Sequence, residues 1–316
     1  MASENPAAKM PPLWAIKMRA PFFTVDVVPV LLGTALAWAR TGAFNLWVFL
    51  LTMLGTIFIN AGTNMTNDYF DHTWGSDEVN KEFINPFTGG SRVIQMGLVT
   101  PKEMLWQGIA FFVAASLIGL FLTFTRGLGV LWLGLIGVFF GYFYTAPPLR
   151  LVRTGIGELG VGLCLGPLTV LGAYYVQTQH MAWEPAIAAL PVGLLVALIL
   201  WINEFQDMPA DAQVGKRHLV VRMGRKNGAL AFGLLLAAVY LSILLGVLFV
   251  GVSPWALLGL LTAPLALKAY RVARVHYDHP QELVPANVLT IRTHLLTGLL
   301  LTLGYVVQGI ISLWLY

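Results

Sequence analysis

Residues 227–267 read NGALAFGLLLAAVYLSILLGVLFVGVSPWALLGLLTAPLAL, 41 positions without an Asp, Glu, Lys or Arg. A helix crossing a hydrocarbon core needs about 20 mostly apolar residues, so the run is too long for one crossing. Gly251-Val-Ser-Pro254 interrupts it near the middle, where glycine and proline punctuate a turn. The stretch therefore predicts two membrane-spanning helices joined back to back. Working outward, charge-free runs at 41–67, 104–125, 127–149, 159–183 and 293–316 reach a similar length. Adding 22–39 and 185–203 predicts nine spans, at 22–39, 44–64, 104–124, 128–146, 158–177, 185–205, 228–250, 254–274 and 288–315. The runs are continuously apolar with no period of two, which excludes a β-barrel. The fold class is all-α and polytopic.

The rest of the chain agrees. Of 316 residues, 57% are hydrophobic and 11% charged, against about 25% charged in a soluble domain. That apolar content excludes a disordered chain. In a membrane protein the net charge of +4 reports orientation, not nucleic acid, because Lys and Arg concentrate in cytoplasmic loops. With the N-terminus inside, Lys9, Lys17, Arg19, Lys81, Arg92, Lys102, Arg150, Arg153 and Arg292 fall on the inner side. So do the basic residues of 216–226 and 268–274, giving 17 of 19. Only Arg40 and Arg126 fall outside, so the expected topology is N-in, C-out. Residues 1–21 hold no apolar signal region and form a cytoplasmic segment, followed by one transmembrane domain over 22–316.

Two inner links, 65–102 and 206–227, are long and polar. Loops longer than about 12–15 residues in a compact domain are often functional, so the chemistry is expected on the cytoplasmic face. Each link opens on an acidic cluster. The first is Asn60-x-x-x-Asn64-x-x-Asn67-Asp68-x-x-Asp71, with Asp77 further on. The second is Asn203-Glu204-x-x-Asp207-x-x-x-Asp211, followed by Lys216 and Arg217. Residues three or four apart on a helix are neighbours. Asn60, Asn64, Asn67 or Asp68, and Asp71 thus share one face, and Asn203, Asp207 and Asp211 share another. Like charges so placed repel unless a cation lies between them. Carboxylates and amide carbonyls are hard oxygen ligands suited to magnesium, which completes its shell with water and substrate phosphates. The candidate metal ligands are Asn67, Asp68, Asp71, Asn203, Asp207 and Asp211. No accompanying set of histidines and cysteines points to zinc. Lys216, Arg217, Arg92 (after Gly89-Gly90-Ser91) and Arg150 (after Tyr144-Thr-Ala-Pro-Pro-Leu) are candidate diphosphate ligands, or ordinary inner-side anchors. The clusters sit four spans apart, suggesting four-helix repeats over 22–146 and 158–274 with 288–315 as a ninth helix.

Together, Asn67-Asp68-x-x-Asp71, Asp207-x-x-x-Asp211 and Tyr144-Thr-Ala-Pro-Pro resemble the motifs of the UbiA superfamily of intramembrane prenyltransferases. The resemblance covers nearly the whole chain. It implies a helical bundle around a central cavity open sideways to lipid, with magnesium and a polyprenyl diphosphate at the cytoplasmic end. An allylic cation then forms and is captured by an electron-rich aromatic acceptor. Within the superfamily the chain looks most like the 1,4-dihydroxy-2-naphthoate polyprenyltransferases of menaquinone synthesis. That likeness rests on Asn64-Met-Thr-Asn67-Asp68-Tyr-Phe-Asp71, Asp77, Gly157-Glu158-Leu159, Gly166-Pro167-Leu168 and Tyr174-Tyr175-Val-Gln177. It implies catalytic Asp68, Asp71, Asp207 and Asp211. Substrate contacts are implied at Asn64, Asn67, Asn203, Asp77, Tyr144 and Glu158, and a bacterial cytoplasmic membrane as the location. The 4-hydroxybenzoate branch usually carries an acid where Gly75 stands. In the second motif, Asn203-Glu204-Phe-Gln-Asp207 departs from the more usual Asn-Asn-x-Arg-Asp. Another aromatic acceptor and an intramembrane terpene cyclase are alternatives; a transporter is a distant one, since the acids collect at one face. Asp26, inside the first span, is either a substrate contact or an acid reaching the headgroups. Cys164 reads as a small buried hydrophobe. His72, which adjoins the first motif, reads as an exposed loop histidine, and His180, His276, His279 and His294 show no metal spacing.

Overall fold

A computed structural model describes residues 11–315, so Lys9 and the first half of segment 1–21 lie outside the described residues. Among the described residues there is no strand. We number the long helices α1 (Thr24–Thr41), α2 (Leu46–Thr73), α3 (Pro101–Arg126), α4 (Leu128–Phe143), α5 (Ile156–Thr178), α6 (Trp183–Gln213), α7 (Leu219–Val250), α8 (Pro254–His276) and α9 (Pro280–Leu315). Eight are long and apolar enough to cross a membrane. The exception is α4, with 16 residues, or about 24 Å at 1.5 Å per residue. It stops three residues short of the predicted 146 because Ala146 precedes Pro147, and residues before proline disfavour helical geometry.

Helix ends follow local chemistry. Asn45 caps α2 by accepting from the Val48 N–H. Thr100 and Glu103 form a reciprocal capping box on α3, with Pro101 in its first turn. Gly251, at φ 80°, ends α7, so the run at 227–267 breaks where its glycine and proline predict. Two predicted loops are shorter than expected. α2 continues to Thr73 and α6 to Gln213; Asn67 donates to Asp71 within α2, while Lys216 of the following loop pairs with Asp71 and Asp211 at the two helix ends. The second loop shrinks to 214–218.

Two apolar clusters fill the bundle. One joins α1 and α5 to α9 around Leu36, Val192 and Tyr305; the other joins α6 to α9 around Phe205, Phe232 and Leu283. Helices α5 and α6 approach backbone to backbone, since a Cβ on Gly166 would collide with Gly193. Small residues permit such contacts between membrane helices. By contrast α4 contributes no buried residue, and large side chains such as Trp106, Phe121, Phe124, Leu234 and Phe249 face outward. An apolar exterior of this kind suits lipid and is unsuited to water. The packing is thus dense on the side of α6 to α9, and a cavity opens between α2 to α6.

Candidate active site

The cavity has a volume of about 590 Å³, within the range of small-molecule sites. Its walls change character along their length. At one end stand Asn60, Asn64, Asn67 and Asp71 of α2, and Asn203, Asp207 and Asp211 of α6. The other end is apolar, reaching Leu51, Leu122, Val130 and Val176. Leu51 and Asp71 are twenty residues apart on one helix, which spans about 30 Å. The site is therefore a polar head on a long apolar channel.

The head is closed by contacts between distant parts of the chain. Lys216 Nζ lies 2.7 Å from Asp71 Oδ1 and 3.2 Å from Asp211 Oδ1, linking the two acidic helix ends. Arg19 donates to Asp68 and, over 3.0 Å, to Asn67. The loop after α2 lies across both ends. The Ser91 N–H donates to Asp68 (3.3 Å), while Asn80 (2.6 Å) and the Gly89 N–H (3.3 Å) donate to Asp207. Gly90, at φ 73°, lets this backbone pass, since a Cβ there would stand 2.9 Å from Asp68 Oδ1.

Electrostatics at the head show an excess of buried negative charge. Burial, with Asp71 and Asp68 nearby, pushes the Asp77 carboxyl up to about 9. Burial opposes the charge on Lys216, yet Asp71 and Asp211 outweigh it and raise its pKa. Burial likewise opposes a charged His218, but Glu204 and Asp211 raise it to about 10. A crowded set of hard oxygen donors that drives a carboxyl toward neutrality fits a divalent cation. Asn67, Asp71, Asn203, Asp207 and Asp211 all face the cavity and could hold one.

The sequence profile of the UbiA prenyltransferase family matches residues 27–296. The chain belongs to that family. It is 32% identical to the 2-carboxy-1,4-naphthoquinone phytyltransferase of Synechocystis sp., over 93% of this chain and 92% of the relative. It is 28% identical to the 1,4-dihydroxy-2-naphthoate octaprenyltransferase of Bacillus subtilis, over 94% and 92%. For the Escherichia coli protein of that name the identity is 32%, over 92% and 94%. Solved structures share the fold. A UbiA homologue from Archaeoglobus fulgidus bound to GPP and Mg2+ superposes with a TM-score of 0.61 at 15% identity, covering 91% of this chain and 99% of that one. The apo homologue from Aeropyrum pernix K1 gives 0.63 at 17% identity, over 92% and 98%. The chain is thus an integral multi-pass membrane protein of the UbiA family.

Within this UbiA site the predicted residues separate into two groups. Asn64, Asn67, Asp71, Asp77, Tyr144, Asn203, Asp207, Asp211 and Lys216 all line the cavity. Asp68 is buried but turned to Arg19 and Ser91, so Asn67 takes the cavity-facing position of that pair. Arg92 points away, donating to the Asp77 carbonyl and stacking on Phe83 at 4.3 Å. Arg150 stands 5.1 Å from the Trp74 ring, and Arg217 is exposed. None of those three lines the cavity. Glu158 lies behind the wall, accepting from the Leu219 N–H at 2.6 Å.

Asp26 does not reach the headgroups. It is fully buried and accepts from Asn60 over 2.7 Å, one residue behind the cavity wall. Cys164 is half-buried and lines the cavity, more open than expected. Arg19, Asn80, Gly89, Gly90 and His218 were not singled out by the sequence. The glycine pair before Ser91 was the one local signal that pointed toward them.

Proposed function

We propose that this protein transfers a polyprenyl group from a polyprenyl diphosphate to 1,4-dihydroxy-2-naphthoate, releasing carbon dioxide and diphosphate and giving the quinol, demethylmenaquinol. The observation that carries the reading is the cavity's polarity. Two acidic helix ends with buried Lys216 and half-buried Arg19 form its head, and an apolar channel of about 30 Å runs from Asp71 to Leu51. A diphosphate with a long hydrocarbon tail has that same distribution of chemistry. The naphthoate acceptor is supported by the names of the relatives from Bacillus subtilis and Escherichia coli.

The reading includes magnesium, held by Asn67, Asp71, Asn203, Asp207 and Asp211, with Asp68 holding the first cluster in register. Bound there, it would supply Lewis-acid charge that makes the diphosphate a better leaving group. Lys216 and Arg19 offer positive charge to the departing oxygens from the same end. The loop carrying Asn80 and Gly89 closes over Asp207 and helps keep water from the allylic carbon as its C–O bond breaks. Tyr144 lines the cavity, and we assign its ring to stabilising positive charge on that carbon. The aromatic ring of the acceptor then forms the new C–C bond. We place the site on the cytoplasmic side of a bacterial inner membrane, following the bias of 17 of 19 basic residues.

Purified protein is incubated with magnesium, labelled polyprenyl diphosphate and a panel of aromatic acids. Prenylated lipid and carbon dioxide with dihydroxynaphthoate alone are the expected products. Product from 4-hydroxybenzoate instead would replace the acceptor. Diphosphate release that survives Asp71→Ala and Asp207→Ala would overturn the assignment of the site.

A further inference from the structure

We propose that Glu158, Glu204 and His218 form a second cation site, adjoining the acidic head, that takes a zinc-like divalent ion in a mixed nitrogen and oxygen shell. The three residues come from three segments: Glu158 from the first turn of α5, Glu204 from α6, and His218 from the N-cap of α7. They are 3%, 6% and 1% exposed. One ligand atom from each lies within 4.8 Å of the other two.

Each residue also carries an unsatisfied atom. Glu158 Oε2, Glu204 Oε2 and His218 Nε2 are buried without a hydrogen-bond partner. Two of these atoms have charged neighbours only at the edge of contact, Glu204 Oε2 at 3.3 Å from His218 Nδ1 and His218 Nε2 at 3.4 Å from Asp211 Oδ2. Nδ1 accepts from the Val221 N–H at 3.4 Å, which leaves Nε2 as the imidazole's ligand atom. Leaving a buried polar atom unpaired is costly, and for a charged group more so. Two buried glutamates against one imidazole also leave the charge unbalanced. A divalent ion balances both carboxylates and converts the three unpaired atoms into ligands.

The donor chemistry differs from the acidic head. Magnesium prefers an all-oxygen shell, whereas imidazole with carboxylates suits zinc and its neighbours. Glu204 and His218 line the cavity while Glu158 stands behind them. An ion therefore has a path in from the cavity. Three protein ligands leave a fourth position facing that space. The site would pin the start of α5 to α6 and to the turn that carries Lys216.

The test is metal binding by the whole protein in detergent, read without any prenyl substrate, so its failure leaves the proposed function standing. Zinc is added in the presence of excess magnesium, and bound metal is counted after desalting. About one zinc per chain should be retained. Glu158→Gln and His218→Gln should each weaken zinc by at least about tenfold. X-ray absorption of the zinc-loaded wild type should show one imidazole among oxygen ligands, a reading that does not depend on either variant folding. Failure to retain zinc against magnesium, retention unchanged in Glu158→Gln, or an oxygen-only shell would each overturn the proposal. In that case protonated His218 alone is the counter-charge.

Discussion

Lys216 and Asp71 meet at 2.7 Å although they come from opposite halves of the chain. The ammonium also lies 3.2 Å from Asp211, so one buried cation bridges both acidic helix ends. Removing one partner of a buried pair leaves an uncompensated charge, at a cost of about 3–5 kcal/mol. Lys216→Met is expected to lower the melting temperature. It should also reduce kcat by about 100-fold or more, the scale of losing one electrostatic contact to a developing anion. Thermal unfolding in detergent and steady-state prenyl transfer check the two effects. A variant with wild-type kcat would show that Lys216 serves the fold alone.

Arg19 makes the corresponding contact on the other side, to Asp68 and Asn67. Its side chain is 24% exposed, so its contribution to stability is smaller than that of Lys216. Its place at the cavity wall points to diphosphate binding. A charge-assisted hydrogen bond contributes about 1.5–3 kcal/mol, so Arg19→Ala should raise the KM for the prenyl donor by about ten-fold to a hundred-fold. Arg19→Lys keeps the charge without the forked donor geometry and should recover only part of the loss. A KM for the acceptor that rises as much as that for the donor would count against the assignment.

Features set by local spacing were legible in the sequence. The break at Gly251, the apolar runs and the i, i+4 repetition of Asn203, Asp207 and Asp211 depend only on neighbours along one helix. The site's closure does not. Asn80 reaches Asp207 across 127 positions, and Arg19 reaches Asp68 across 49, separations for which no periodic signal exists. Spacing also left Asn67 and Asp68 equivalent, because adjacent residues differ by only about 100° around a helix. The loop decides between them: Ser91 and Arg19 take Asp68, and Asn67 is left facing the cavity. Arg92, Arg150 and Arg217 had the right composition and the wrong direction.

Gly90 and Gly97 provide a controlled pair in the loop over the head. Both have positive φ, 73° and 69°, so alanine at either carries a backbone cost of about 1–2 kcal/mol. They differ in surroundings. A Cβ at Gly97 meets nothing within 4 Å, whereas one at Gly90 stands 2.9 Å from Asp68 Oδ1. Gly97→Ala should lose a little stability and keep its activity. Gly90→Ala should push the loop off Asp68 and lose activity as well. Equal kinetic effects in the two variants would show that the loop's contact with Asp68 is unimportant to turnover.

The apolar channel makes a prediction about donor length. Gly55 lies on α2 sixteen residues before Asp71 and lines the cavity, about 24 Å from the head by helical rise. A Cβ there meets only Ile118 Cγ2, at 3.5 Å, so a larger side chain has room to project into the channel. Gly55→Phe should therefore leave the polar head intact while obstructing the far end. Geranyl diphosphate, which is short, should be used with nearly unchanged kcat/KM. An octaprenyl donor should lose most of its activity, unless its tail leaves sideways into lipid before reaching Gly55. Comparing the two donors in wild type and variant separates these routes: equal retention of both would mean that the tail exits between the head and Gly55, and that the channel beyond is not occupied during the reaction.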